Sequence, residues 1–215
     1  MNLRTLMVFP LLALVTACAP SRLLGPTPTP LPCWRCLVSE LLLEDGDLPE
    51  GWARDRDWPV NSLSDPTINH VHRSWWGKAQ GAGGVEQDIW RAYTVEEARE
   101  KFDELRHQGM FLPDFTPSPW DFYVPFEPPP EIDFRSQTAD EFYLTCGWLY
   151  GAQCHVIARY RNYVTWLTLD LEAEREGHVS HGLTYEEIEA IIRAMDGRFT
   201  AFLVEHPLIT PTPQP

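Results

Sequence analysis

The chain has 215 residues and a formal net charge of −14, from 31 acidic and 17 basic side chains. This excess excludes electrostatic binding to nucleic acid, which needs a basic surface, and it opposes binding to an anionic lipid surface. The composition is 44% apolar, as in a globular protein, and the length between the termini suits one domain with a sizeable core.

The N-terminus has the layout of a bacterial lipoprotein signal peptide. Arg4 supplies a positive start, and the apolar run from Leu6 to Val15 is too short for a committed membrane span. The run leads into Val15-Thr16-Ala17-Cys18, which resembles the lipobox. That resemblance implies cleavage before Cys18 and lipidation of its thiol, and several acyl chains on one residue anchor a protein stably. An ordinary signal peptide with a chance cysteine is the alternative.

A proline-rich tether follows the lipobox. Five prolines within residues 19–32 predict an extended polyproline II segment. Removing residues 1–17 takes away only Arg4, so the charge moves from −14 to −15. The predicted organisation is a signal peptide at 1–17, a lipidated cysteine and linker at 18–32, one extracytoplasmic domain at 33–205, and a disordered tail at 206–215.

Periodicity within the domain predicts alternating helices and hairpins. Each of the two long helices begins with a Thr-x-x-Glu capping box, and the glycine-rich stretch 77–84 predicts a hairpin turn. Hairpin connections imply an antiparallel sheet, so the predicted class is α+β, with about five strands and helices packed mainly on one face. The predicted elements are a short helix at Leu37–Glu44, strands at Ile68–Trp76 and Val85–Tyr93, a helix from Thr94 to Gly109, strands at Glu141–Leu149, Cys154–Tyr160 and Tyr163–Leu171, and a helix from Thr184 to Val204.

Four cysteines remain besides Cys18, an even number that suits an oxidising compartment. A three-residue loop at 149–151, with Gly151 in the left-handed conformation, sets Cys146 opposite Cys154 at a separation that a disulfide accepts. A two-residue loop would point them to opposite faces. We predict the Cys146–Cys154 disulfide, which leaves Cys33 to pair with Cys36. A long-range pairing between the two sets stays open, because it would restrict the unfolded chain more.

The Cys33-Trp34-Arg35-Cys36 motif also has the spacing of a redox site. Thioredoxin-like proteins place such a motif after a strand, whereas a polyproline segment precedes it here. A four-cysteine zinc site is a further alternative, but the spacing of Cys146 and Cys154 is unlike a zinc knuckle. A structural disulfide is the preferred interpretation, and no metal or cofactor is predicted.

The remaining polar motifs predict no catalytic residue. His70 and His72 share a strand face, as a metal pair requires, but no third ligand is evident and a solvated face is preferred. Glu86 and Asp88 share a strand face too, yet carboxylates are plentiful in so acidic a chain. No Gly-x-Ser-x-Gly nucleophile motif occurs.

Residues 110–135 form the predicted ligand site. They carry seven prolines and seven aromatic residues, and a loop this long in a compact domain is typically functional. The rings either pack as core or form a lid or recognition surface for sugars, peptides or lipid. The ligand-binding candidates are Phe115, Trp120, Phe122 and Tyr123.

The passage Asp47-Leu48-Pro49-Glu50-Gly51-Trp52 follows a leucine-rich segment shortly after the lipobox and tether. It resembles the start of a class of extracytoplasmic lipoprotein domains, which includes lipoproteins of Chloroflexota-type bacteria and, more distantly, PsbP-like or kinase-sensor-like α+β domains. The resemblance covers the first third of the domain and the terminal helix. It implies an α+β fold and a non-enzymatic binding or sensing module, and it carries over no site residues.

Together these patterns predict a lipid-anchored protein on the extracytoplasmic side of the cell membrane, with a non-catalytic ligand-binding or sensor-like domain. Its ligand is a small molecule, a glycan or a protein. Two alternatives are a membrane-tethered thiol-disulfide oxidoreductase that uses Cys33 and Cys36, and a carbohydrate- or cell-wall-binding protein that uses the aromatic loop at 110–135.

Overall fold

The computed structural model describes residues 36–59, 67, 69–77, 83–108, 124–128, 130–149, 151–175 and 177–207. Within these ranges the fold is α+β, as predicted, and one antiparallel sheet has the strand order β1-β2-β3-β7-β6-β5-β4. The sheet has seven strands rather than about five. The elements are β1 (Trp52–Trp58), β2 (His70–Gly77), β3 (Gly84–Arg91), α1 (Val95–Gln108), β4 (Val124–Phe126), β5 (Glu141–Leu149), β6 (Gly151–Tyr160), β7 (Tyr163–Leu171), the small hairpin β8 (Ala173–Arg175) and β9 (His178–Ser180), and α2 (Tyr185–Glu205).

Two strands of this sheet that the sequence did not predict, β1 and β4, lie at its edges, and the β8–β9 hairpin was not predicted either. β1 reads WARDRDW and is exposed along most of its length, so it lacks the apolar alternation that identifies a half-buried strand. Charged side chains are typical of edge strands, where they discourage pairing with other chains. A turn leads into β1: Gly51 has φ +97°, and the Trp52 amide donates to the Pro49 carbonyl.

The hairpins follow the predicted pairing. β2 pairs with β3, and in β5–β6 Cys146 lies opposite Cys154, to which it is disulfide-bonded. The alternative in which Cys146 or Cys154 pairs with one of the N-terminal cysteines, Cys33 or Cys36, is therefore wrong. Gly151 is not left-handed as expected, because it belongs to β6 and pairs with Leu149.

Helix α2 covers one face of the sheet, below called the α2 face. The predicted capping box is present, since the Glu187 amide donates to Thr184 Oγ1 and Glu187 Oε2 accepts from the Thr184 amide. The buried side of α2 packs on β6 and β7, where Phe199 stacks on Tyr160 with ring centroids 4.2 Å apart. Met195 and Phe202 lie in the same core.

The segment 36–48 covers the rest of the α2 face. The predicted helix at Leu37–Glu44 is a single 3-10 turn at Val38–Leu41 followed by extended chain. The Leu43 amide explains the difference, because it donates at 2.7 Å to the buried Gln87 side chain of β3 instead of to a helical carbonyl.

Helix α1 lies on the opposite face, below called the α1 face. Ala98, Phe102 and Leu105 form a cluster with Ile157 and Val164, whose side chains alternate with those that face α2. The expectation that the helices pack mainly on one face is therefore not confirmed. Among the described residues, no helix is both long and apolar enough to span a membrane.

Candidate functional site

Two tryptophans stand half-exposed on the α1 face near the β1 edge. Trp58 lies opposite His72, and Trp76 lies four residues further along β2 on the same face. They are 49% and 48% exposed. Helix α1 packs further across the sheet, at Ile157 and Val164. Large apolar side chains exposed together in this way are typical of ligand or partner sites.

Trp58 and four neighbouring side chains line an open groove of about 290 Å³, which we call the Trp58 groove. The strand register brings them together, because His72 lies opposite both Trp58 of β1 and Asp88 of β3. His70 is two residues from His72 and therefore faces the same way. The lining residues are Arg56, Trp58, His70, His72 and Asp88.

A carboxylate joined to two imidazoles forms the polar centre of the groove. His70 Nε2 lies 2.8 Å from Asp88 Oδ1, and His72 Nδ1 lies 3.2 Å from Asp88 Oδ2. Each carboxylate oxygen thus holds one ring. The other ring nitrogens, His70 Nδ1 and His72 Nε2, make no hydrogen bond to any described residue.

The hydrogen bonds in this cluster stabilise its charges. Burial raises the pKa of Asp88, but the hydrogen bonds from His70 and His72 outweigh it, so the pKa of Asp88 lies below its ordinary value. The hydrogen bond to Asp88 raises the pKa of His72 above its ordinary value, against partial burial. The charge of Glu86 adds to that increase, and the charge of Arg56 opposes it.

Two tryptophan rings pack against His70. Its ring is parallel to Trp90, with centroids 4.6 Å apart and planes 8° apart, and it meets Trp58 at a centroid distance of 5.2 Å with the planes tilted by 53°. Lys101 of α1 lies over Trp90, with its ammonium 5.0 Å from the ring centroid. The groove is therefore packed against the body of the domain through His70 and Trp90, which limits the rearrangement needed to bind.

Arg56 is the cation of the groove. A bulge in β1 between Arg54 and Arg56 turns their side chains to opposite faces of the sheet. Arg54 and the neighbouring Arg73 form ion pairs on the α2 face, both with Asp57. The guanidinium of Arg56, by contrast, forms no ion pair with the carboxylates of the described residues, since none of their oxygens lies within 4.0 Å of its nitrogens.

The aromatic residues predicted as the ligand site fall outside this groove. The described parts of the 110–135 loop pack inward, since Phe126 lies against the core and Phe134 is buried against Phe142 at 5.8 Å. The four named candidates lie outside the described residues: Phe115, Trp120, Phe122 and Tyr123.

The N-terminal cysteines are described only in part. Cys36 is buried and disulfide-bonded, and its carbonyl accepts from Arg91 Nη1 at 3.0 Å. Cys146 and Cys154 bond to each other, so the partner of Cys36 lies outside the described residues, as do Cys18 and Cys33. The Cys33–Cys36 pairing stays a prediction.

The sequence indicates parts of the groove without joining them. Alternation along the predicted strand 68–76 puts His70 and His72 on one face, whereas Asp88 lies on the next predicted strand, 85–93. The missing step is the hairpin register, which pairs His72 with Asp88. Trp58 and Arg56 were missed because the β1 edge strand itself was missed.

The described residues also contain features that do not make a site. None of their His, Cys, Asp and Glu side chains form a group of three suited to a metal ion. A second hollow of about 400 Å³ lies beside the β8–β9 hairpin, but the charged groups that the described residues contribute to its lining are both acidic, Glu172 and Glu174. Its Thr184 is already engaged as the cap of α2.

Comparison of the chain with family models, with curated proteins and with solved structures found no match in any of the three. The contacts of the Trp58 groove are therefore the basis for assigning a function.

Proposed function

We propose that the protein is a lipid-anchored, extracytoplasmic binding protein whose domain takes a ligand at the Trp58 groove without catalysis. The location rests on the lipobox ending in Cys18 and on the tether at 19–32. The binding site rests on one observation above all. A half-exposed tryptophan stands beside a hydrogen-bonded Asp-His-His cluster and a cation without an ion-pair partner among the described residues.

The chemistry of the groove suits binding better than catalysis. Both oxygens of Asp88 are held by imidazoles, so the carboxylate is engaged in positioning the rings rather than directed at a ligand. The five lining residues include no Ser, Thr or Cys nucleophile. Binding sites commonly combine an aromatic surface with a few fixed polar groups in this way.

The oxidoreductase alternative has less support. A redox-active thiol is typically low in pKa and accessible, whereas Cys36 is buried in the core cluster. Its carbonyl is bonded to Arg91, which suits a residue that fastens the start of the domain to β3.

The carbohydrate alternative gains support from a new location. It does not need the aromatic residues at 110–135, because Trp58 and Trp76 already expose two rings on one sheet face. Tryptophan rings with polar neighbours are suited to sugar rings, which present apolar C–H faces and polar edges.

Hydroxyl-radical footprinting tests the binding site even while the ligand is unidentified. The full chain in detergent micelles is oxidised with and without a soluble digest of bacterial cell envelope, and oxidation is measured residue by residue by mass spectrometry. We expect severalfold protection of Trp58, with Val204 on the exposed side of α2 unchanged as the internal control. Equal oxidation of Trp58 in both samples would contradict the proposed site.

The anchor has its own test. A Cys18→Ala variant should lose labelling by a fatty-acid analogue and should leave the membrane fraction on lysis. Unchanged partitioning would refute lipidation and would leave the groove unaffected.

A further inference from the structure

We infer that the Trp58 groove binds an acidic oligosaccharide along β2, with one sugar ring on Trp58 and a carboxylate on Arg56. This inference rests on the binding function proposed above and specifies its ligand. The carboxylate belongs either to the sugar ring, as in a uronic acid, or to a lactyl ether, as in muramic acid.

The two exposed tryptophans favour a chain of sugars over a single small molecule. Trp58 lies opposite His72, and Trp76 is four residues away on β2, which corresponds to about 13 Å along the strand. Trp76 lies against the sheet over Gly84, whose Cβ position would be 3.4 Å from the ring. The two rings therefore present two separate aromatic surfaces on one sheet face, with Arg56 opposite Ser74 between them.

Arg56 gives the site its preference for a negative charge. The planar guanidinium presents paired donors that match a carboxylate. The protein carries a net charge of −14, and Arg56 brings a positive charge to a groove whose other polar lining groups are the carboxylate of Asp88 and two imidazoles. A carboxylate on the ligand supplies the partner that the described residues do not.

The two histidines supply hydrogen bonds to sugar hydroxyls between these points. His70 Nδ1 and His72 Nε2 make no bond to the described residues, and Asp88 fixes both rings through the other nitrogens. The carboxylates of Asp88 and the exposed Glu86 lie on the same face. Their negative charges repel a densely charged polyanion, so the site suits a sugar chain whose carboxylates are spaced apart.

Calorimetric titration of the full chain in micelles tests this ligand class. The probes are trigalacturonate, its methyl ester, and a disaccharide of N-acetylglucosamine and N-acetylmuramic acid. We expect at least one acid to bind about tenfold more tightly than the neutral ester, as one charge-assisted contact allows. Arg56→Gln should remove that preference by weakening binding of the acid about tenfold. Arg99→Gln, an exposed arginine on α1, is the matched control and should change neither.

The outcomes separate the ligand class from the binding function. Equal affinity for acid and ester, or an Arg56→Gln variant that keeps the preference, would overturn the acidic class. If Trp58→Ala then still weakens binding of the neutral ester at least tenfold, the binding function stands. Failure of every probe would overturn the saccharide inference, while protection of Trp58 by envelope digest would still support binding. Melting temperatures of all variants within about 2 °C of the wild type establish that they fold.

Discussion

Replacing Arg73 by methionine should destabilise the sheet edge that carries the Trp58 groove. Arg73 lies on β2, is 4% exposed, and joins three parts of the fold. Its Nε and Nη2 atoms donate to the two carboxylate oxygens of Asp57 on β1, at 2.7 and 3.2 Å. Its Nη1 atom donates to the Leu43 carbonyl at 2.8 Å.

The expected cost follows from what the substitution leaves behind. Hydrogen bonds to charged groups contribute about 1.5–3 kcal/mol each. Asp57 keeps partial access to water and a second cation, Arg54, at 3.6 Å, and methionine preserves the apolar stem. We therefore expect the free energy of unfolding to fall by about 2–4 kcal/mol, which lowers the melting temperature by roughly 4–16 °C.

Urea denaturation followed by tryptophan fluorescence measures this loss. Arg99→Met is the matched control, because Arg99 is exposed and its contact with Glu141 is long at 3.8 Å. It should cost less than about 0.5 kcal/mol. A loss for Arg73→Met as small as that of the control would refute the reasoning. So would strict additivity with Asp57→Asn, since directly bonded residues should couple by about 0.5 kcal/mol or more.

Three further predictions address the core, the groove and the disulfide. Phe199→Ala should lower the free energy of unfolding by about 3–5 kcal/mol, because Phe199 is fully buried. Val204→Ala should lower it by less than about 0.5 kcal/mol, because Val204 is exposed. Similar losses for the two variants would contradict the orientation of α2. Asp88→Asn should lower the pKa of His72, measured from its imidazole proton shifts, and an unchanged titration would exclude Asp88 as the cause. The pKa of His72 is raised and that of Asp88 is lowered, so their contact stabilises the fold while His72 is protonated and Asp88 is ionised. This stabilisation is lost as the pH rises through the pKa of His72 or falls through the pKa of Asp88. The difference in free energy of unfolding between the wild type and Asp88→Asn should therefore narrow at high and at low pH. Replacing both cysteines of the β5–β6 disulfide by alanine should cost roughly 2–3 kcal/mol for so short a loop, and urea denaturation showing no loss would contradict this.

Local signals in the sequence predicted much of the fold. The capping box at Thr184 and Glu187 marked the start of α2, because the two residues satisfy each other's backbone within one turn. The pairing of Cys146 with Cys154 followed from counting residues on either side of a tight turn. Both features depend on contacts between residues close in sequence.

The features that were missed depend on distant contacts. The charged sequence of β1 has no intrinsic strand pattern, and it is held in the sheet by pairing with β2 and by the ion pair of Asp57 with Arg73. The placement of α1 and α2 on opposite faces had only a partial signal in the sequence. Val156-Ile157-Ala158 is a continuous apolar run, as in a strand buried on both sides, but His155 and Arg159 flank it and are buried as well.

The groove illustrates the same limit. His70, His72 and Asp88 each stand out in the sequence, but only the register between β2 and β3 shows that they bond to one another. The side chain of Trp58 comes from a strand that the sequence did not reveal. A site assembled from three strands therefore required the sheet topology before its chemistry could be recognised.

The indole N–H signals of the tryptophans test the central claim most directly. In a nitrogen-15 NMR titration of the full chain with trigalacturonate or the muramic acid disaccharide, the signals of Trp58 and Trp76 should shift with one saturating curve. That of Trp75, whose Nε1 donates to Asp45 on the α2 face, should stay in place as the internal control. A shift confined to Trp75, or a saturating ligand that leaves Trp58 unmoved, would contradict binding at the Trp58 groove.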